Sequence, residues 1–448
     1  MNLPLAGAGP EKGSRDMGAG GASCLVLAAD KWRIIQAFKW RAPVSSRYPA
    51  PASPATPSDM ILRSFPPMGI YETLFRFNEV TGRYMGDQGT HPWAQGFPLT
   101  VPVPGGPELP STIEVTHEDR MYPKADGQPE LRQALADYYN TTYGSTIAPE
   151  NVAIFAGGRP ALFAVLSFLD GERTIAVEET EYTPYWDLLQ LLRRPHTLIP
   201  SCVENRFRPG LDEHPQDDEA FLLKSNPCNP TGVTVRGEAL QQMVQYYSTA
   251  SRGAVIDEAY EFFTEEEPES AIKYVDNIDE TNLFIVGAAT KGLQVPGMRV
   301  GWVIASREHI EIFRNYSSFG MGGVSRASQL YVTGLLDPKR VVHARQAIGD
   351  FYTSQRKRYG PLLADLGIEL YSGTGGFYHW GALPGGLTAH EFNERLFKHE
   401  AGILPGTLCD MARRGDDGPH GSFVRFSFGP LGPDSLEADA EILKRCLG

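Results

Sequence analysis

The chain has 448 residues, with 41 Lys+Arg against 54 Asp+Glu, a formal net charge of −13 and 42% hydrophobic residues. That length holds two or three globular units around a sizeable core, and the acidic balance argues against nucleic acid or an anionic membrane surface as the main partner. No apolar run is long enough to span a bilayer. The five cysteines (Cys24, Cys202, Cys228, Cys409, Cys446) are scattered, with no CxxC pair and no His spacing for zinc, which fits free thiols in a reducing, cytoplasmic compartment.

Residues 1–58 are rich in Gly, Ala, Ser and Pro and end in the run Pro49 to Pro57. They lack the charged, apolar and cleavage regions of a clean targeting peptide. A disordered extension is expected, or an upstream start read in error with Met60 as the true one. From Met60 to Arg83 the pattern is mixed and helical. An irregular aromatic and Gly-rich stretch follows, Tyr84 to Pro98, containing His91-Pro92-Trp93 and Gly96. Such loops often line sites. His91-Pro92-Trp93 is either a substrate-facing lid, the favoured reading, or simple packing.

Tyr122 to Gly127 reads as a turn, and Pro129 sits at a first helical position, where its missing N–H costs nothing. Leu131, Ala134, Leu135, Tyr138 and Tyr139 then recur at helical spacing. Strand–helix units come next. The predicted strands are Val152–Phe155, Thr174–Val177, Phe221–Leu223, Ala254–Asp257, Leu283–Val286 and Gly301–Ala305. Helices are predicted over Ala161–Leu169, through Leu188–Leu192, and over Gly237–Ser248. This alternation argues an α/β domain with a largely parallel sheet, whose ligands sit at the carboxyl ends of the strands. After Ser325 the pattern turns to long helices, including Val341–Leu366, with a break expected near Gly360-Pro361. Short strands (368–371, 376–380, 423–428), a helix over Thr388–His399 and a closing helix from Ser435 complete a second, α+β unit.

Several residues at strand ends are candidates for chemistry. Ser225-Asn226-Pro227-Cys228-Asn229-Pro230-Thr231-Gly232 follows a buried strand, and its two Asn-Pro steps hold a side-chain amide rigidly or serve the backbone alone. Asp257 ends a strand, with Tyr260 three residues on. A buried carboxylate there needs a partner, which a protonated pyridine nitrogen, a helix N-terminus or a nearby Arg supplies. Ala156-Gly157-Gly158 before a helix is a weak phosphate-cradle signal. There is no Walker A pattern and no GxGxxG. Lys291 follows a short strand, with Arg299 eight residues on in a Gly-rich turn. A lysine there can form an imine with an aldehyde and an arginine can hold a phosphate, two needs that pyridoxal phosphate combines.

In one order, Asn-Pro-Cys-Asn-Pro-Thr-Gly (226–232), Asp257-Glu-Ala-Tyr260, Thr290-Lys291 and Gly297-Met-Arg299-Val-Gly301-Trp302 resemble the class I/II aminotransferases. These are pyridoxal-phosphate enzymes of fold type I, aspartate aminotransferase-like, and the resemblance spans about residues 60–448. It implies a large domain with a mostly parallel central sheet flanked by helices, plus a smaller α+β domain. We expect the boundaries at 1–58 (extension), 59–118 (a segment joining the small domain and the site rim), 119–335 (large, cofactor-binding) and 336–448 (small).

The resemblance also implies roles. Lys291 matches the lysine that forms the internal aldimine and later moves the proton between Cα and C4′. Asp257 matches the carboxylate on the ring nitrogen. Asn229 and Tyr260 match the pair on the ring hydroxylate, Asn229 also touching the substrate carboxylate. Tyr182 matches the aromatic stacked on the ring. Gly157, Gly158, Arg159, Thr290 and Arg299 lie where phosphate is held. Tyr122, with Gly127 five residues on, matches the tyrosine that reaches the phosphate of a neighbouring subunit, which implies a homodimer with shared sites. Arg425 matches the arginine that binds the substrate α-carboxylate bidentately, and Gly96 is placed beside the substrate.

Two departures stand out. Ala288 occupies the position three before the lysine where family members often carry a phosphate-binding Ser, and Thr290 partly compensates. Arg159-Pro160 replaces small or polar residues; Arg159 either binds phosphate or selects an acidic substrate. The expected activity is transfer of the amino group of an L-α-amino acid to a 2-oxo acid. The rivals are a lyase, cyclase or oxidase on the same scaffold, and a non-enzymatic regulator, which the absence of a helix-turn-helix pattern in residues 1–58 disfavours.

Overall fold

In the computed structural model, residues 65–249 and 251–447 are described. The expectations for residues 1–58 and for Met60-Ile61-Leu62 lie outside them. The chain opens with α1 (Tyr71–Thr81) and α2 (Pro129–Tyr143), then alternates β1 (Val152–Phe155), α3 (Gly158–Phe168), β2 (Ile175–Glu178), α4 (Thr183–Leu191) and β3 (His196–Ile199). It continues through β4 (Phe221–Ser225), α5 (Gly237–Tyr247), β5 (Gly253–Asp257), β6 (Leu283–Ala288), β7 (Gly301–Ile304), α6 (Arg307–Tyr316) and α7 (Arg326–Leu335). The last part holds α8 (Pro338–Asp365), β8 (Glu369–Leu370), β9 (Tyr378–Ala382), α9 (Ala389–Leu396), β10 (Leu404–Pro405), β11 (Phe423–Ser427) and α10 (Leu436–Leu447).

Seven strands form one sheet in the order β1-β7-β6-β5-β4-β2-β3. Its neighbours pair in parallel except β7, which runs antiparallel to β1 and β6. Both faces are covered, as the near-continuous apolar strands require. Along β1, Val152 and Ile154 enter one core while Ala153 and Phe155 enter the other. The same period-2 division places Leu222 and Ile285 on the first face and Leu223 and Val286 on the second. A separate four-stranded antiparallel sheet, β10-β11-β9-β8, is built from the C-terminal part of the chain. This is the architecture expected from the sequence, a mostly parallel sheet flanked by helices with a second, smaller sheet.

Helix ends follow local chemistry. Pro129 opens α2, and Gly144 closes it in the left-handed region at φ 71. Thr388 and Glu391 form a reciprocal capping box at the start of α9. Two strands were not anticipated. β3 pairs only with β2 and is half-exposed, so its apolar signal is weak. β10 is two residues long. The break expected near Gly360-Pro361 is absent: α8 runs unbroken for 28 residues with Pro361 inside it. A proline costs such a helix roughly 3 kcal/mol. The packing on either side outweighs that cost. Tyr359 and Leu363 are buried, and Arg356 Nη1 donates to the Tyr378 carbonyl at 3.2 Å.

The lid expected at His91-Pro92-Trp93 is also corrected. Trp93 is fully buried. Its indole N–H and His91 Nδ1 both donate to Asp439 Oδ1 on α10, at 3.2 and 2.6 Å. The Tyr359 hydroxyl donates to Asp439 Oδ2. The segment is an anchor, held by a carboxylate with 0% exposure. We predict that Asp439→Ala, which strips the partner from these donors, destabilises the fold by about 3 kcal/mol. The check is a lowered urea midpoint at unchanged slope. An unchanged midpoint would return the loop to the mobile reading.

Candidate active site

The carboxyl ends of β1, β4, β5 and β6 bring the sequence-predicted residues to one place, as open α/β sheets do. β5 ends at Asp257, which is buried and accepts from the Ala259 N–H at 3.1 Å and the Tyr185 hydroxyl at 3.2 Å. Burial pushes its carboxyl up to about 6 against those hydrogen bonds. Among the described residues it has no cation within ion-pair distance.

The turn after β4 carries Asn229. Its Nδ2 donates to the Tyr260 hydroxyl at 3.4 Å, and its Oδ1 accepts from Arg425 Nη1 at 2.9 Å. One amide thus links the tyrosine after β5 with the arginine on β11. Tyr260 shares a hydrogen bond with the hydroxyl of Tyr378 on β9.

Lys291 lies between β6 and β7. Its Nζ donates to the Gly96 carbonyl and stands 5.8 Å from the Tyr260 ring centre. Burial draws its amine down to about 7, and the nearby charges of Arg159 and Arg425 act in the same direction while Asp257 opposes them. An amine held there is largely able to lose its proton near neutrality.

Arg299 is held in the left-handed region at φ 55, an uncommon conformation for a residue with a side chain. Its Nη2 donates to the Ala156 carbonyl at 3.1 Å. Gly157, at φ 111, presses on the same guanidinium: a Cβ there would stand 2.5 Å from Arg299 Nη2. Gly157 caps α3, and Gly158 and Arg159 are its first residues. Arg299 therefore meets the N-terminus of α3, where backbone N–H groups and the helix dipole already favour an anion. Ala288 is buried beside Gly158, and Thr290 is half-buried next to Lys291. Arg159 Nε donates to the Tyr182 hydroxyl at 2.8 Å.

Arg425 is buried. Its Nη2 donates to the Ala94 carbonyl at 2.6 Å, its guanidinium lies 4.3 Å from the Tyr378 ring centre, and its Nε has no hydrogen-bond partner among the described residues. Gly96 is tight against this group, since a Cβ there would meet the Tyr378 hydroxyl at 2.5 Å. The stretch behind His91 and Trp93 therefore does line the site, through the Ala94 and Gly96 carbonyls rather than as a lid. Tyr122 is not brought to this group and stands 92% exposed.

Two site residues were missed by sequence reasoning. Tyr378 sits in a predicted strand with nothing local to mark it. Tyr185 lies three residues after Tyr182, one helical turn along, and that spacing was the available signal.

The family model for aminotransferase class I and II matches residues 94–435. An LL-diaminopimelate aminotransferase of Dehalococcoides mccartyi is 25% identical over 320 residues, covering 68% of this chain and 81% of that protein. An aspartate aminotransferase of Pyrococcus horikoshii is 26% identical over 331 residues, covering 72% and 82%. The solved structure of a Thermus thermophilus aspartate aminotransferase with maleate superposes with a TM-score of 0.70 at 21% identity, over 86% of this chain and 100% of that one.

Proposed function

From the premise that the chain belongs to the class I and II aminotransferases, enzymes dependent on pyridoxal phosphate, we propose how its own residues carry out transamination. The residues fit that cofactor. Asp257 is a buried carboxylate facing only neutral donors, which suits a protonated ring nitrogen. Arg299 and the N-terminus of α3 form a cationic cradle that suits a phosphate. Lys291 supplies an amine drawn down to about 7. The observation that carries the reading is this convergence of Lys291, Asp257, Asn229 and Arg425 from four separate segments.

When bound, pyridoxal phosphate supplies an aldehyde that bonds amines covalently and a ring that accepts electron density from the substrate Cα. Gly157, Gly158, Thr290 and Arg299 would hold its phosphate. Asp257 would keep the ring nitrogen protonated, Asn229 and Tyr260 would bind the ring hydroxyl, and Tyr182 would pack on the ring. Arg425 grips the α-carboxylate of the amino acid, using the unpartnered Nε among its donors. Lys291 Nζ, its amine drawn down to about 7, would take the proton from the substrate Cα and hold it for return. The Gly96 carbonyl, which accepts from Lys291, orients that amine.

Arg159 forms no ion pair among the described residues and lies at Tyr182, which supports an amino donor with a second, side-chain carboxylate. The domain boundaries near 118 and 335, and a cytoplasmic location, belong to the same reading. Among the described residues no helix is long and apolar enough to cross a membrane. A homodimer with Tyr122 reaching the partner's phosphate is supported by exposed Tyr122, Met121 and Phe319. Sedimentation showing a monomer at assay concentrations would remove it.

The test of function is the visible absorbance of the purified enzyme with a panel of L-amino acids and no acceptor. Stoichiometric pyridoxamine phosphate with acidic donors is expected. Ammonia release, oxygen uptake or a preference for apolar donors would overturn the transaminase or the acidic-substrate reading respectively.

A further inference from the structure

Glu181 is fully buried and immediately precedes Tyr182. Its Oε1 accepts the Ser225 N–H at 2.8 Å. Its Oε2 accepts the Ser225 hydroxyl at 2.8 Å and the Tyr182 N–H at 2.6 Å. The Ser225 Oγ in turn accepts the Asn229 N–H at 3.0 Å. One carboxylate therefore ties the backbone of Tyr182 to the turn that carries Asn229. These two segments lie more than forty residues apart in sequence, and the Cys228 thiol adds a weaker tie between them, donating to the Thr180 carbonyl at 3.7 Å.

Burial pushes the Glu181 carboxyl up to about 8, and the Lys224 ammonium, paired with Glu178 beside it, draws it down. Both oxygens are required as acceptors, because a backbone N–H donates to each. Placing such a carboxyl in the core is expensive unless its hydrogen bonds are complete. A smaller or apolar residue would fill this position without that cost. Two of the three bonds instead run to the backbone N–H groups of Ser225 and Tyr182, and the third to the Ser225 hydroxyl that holds the Asn229 N–H.

We propose that Glu181 is a positioning residue that fixes the ring-covering Tyr182 and the ring-hydroxyl partner Asn229 relative to each other, acting through Ser225. This rests on the site reading above. The fully buried carboxylate directs its bonds at Ser225 and Tyr182, so its effect appears in how the cofactor is held and in the chemical step, more than in substrate binding.

Glu181→Gln tests it, since the amide keeps the size but turns one acceptor into an NH2 facing donors. A thermal melt of the apoprotein establishes that the variant folds. The bound pyridoxal phosphate then reports directly. The pH midpoint of its visible band should move by about half a unit or more, because the bonds to the ring hydroxyl are displaced. The induced circular dichroism should change with it. We expect kcat to fall about tenfold or more with KM little changed, as a small misplacement of reacting groups produces. A wild-type midpoint, dichroism and kcat in Glu181→Gln would overturn the inference. If Glu181→Gln does not fold, Ser225→Ala and Ser225→Thr decide. The alanine should reproduce the midpoint shift and the threonine should reverse it; a Ser225→Ala enzyme identical to wild type overturns the inference equally. A wild type that takes up no pyridoxal phosphate would remove the site reading itself. A wild type that takes it up, with the Glu181 and Ser225 variants unchanged, would remove only this proposal.

Discussion

Lys291→Ala is expected to lower turnover by about ten-thousandfold or more, because in the proposed mechanism one amine serves as both nucleophile and proton carrier. The fold survives the change. The folded Lys291 amine lies at about 7, below its ordinary 10.5. A group depressed in this way holds fewer protons folded than unfolded between those two values, so it costs stability in full below about pH 7, and the cost fades as pH rises toward 10.5. Removing the amine relieves that cost, and the melting temperature of the apoprotein at pH 6 should not fall. The lost bond to the Gly96 carbonyl works the other way and is the smaller effect at that pH. The measurements are single-turnover kinetics and a melt at pH 6 and pH 9. Retained turnover would reassign the chemistry. A variant that is inactive because it is unfolded would show instead that Lys291 is structural.

Arg425→Ala is expected to raise KM for amino acids about a hundredfold, because the proposed bidentate, charge-assisted pair with the α-carboxylate is worth roughly 3 kcal/mol. The same change leaves Asn229 Oδ1 and the Ala94 carbonyl without their donor. Some loss of kcat follows, because Asn229 also bonds Tyr260. The diagnostic comparison is an amine that lacks an α-carboxylate. Its slow reaction should be nearly the same in wild type and variant, while amino acids are strongly affected. Equal losses for both substrates would mean that Arg425 serves the structure of the site rather than the carboxylate. Arg425→Lys should recover only part of the binding, since a single ammonium cannot reproduce the planar fork.

Both predictions rest on residues that were legible before any coordinates. Asn229, Asp257, Lys291 and Arg299 each stand just after a short apolar strand or in a Gly/Pro-marked turn, and that placement is written in a few neighbouring residues. The limits of such reading show in particular elements. His91 and Trp93 resemble a lid locally, yet Asp439 on α10 holds them, almost 350 residues away in the sequence. Gly360-Pro361 carries the local signal of a break, yet the packing of Tyr359 and Leu363 keeps α8 continuous.

The sequence by itself therefore determined the strand–helix alternation, the turns at the strand ends and the chemical groups those turns carry. A parallel sheet collects the ends of its strands along one edge, so local placement was enough to bring those groups together. Only the tertiary structure decided which long-range partners complete them. Tyr378 against Tyr260, the Ala94 and Gly96 carbonyls on Arg425 and Lys291, and Glu181 between Tyr182 and Ser225 are such partners. Burial makes these bonds obligatory, because an unmatched polar group in the core costs more than a matched one gains. The matching partner is set by where distant segments pack, and no periodicity or motif within either segment records it.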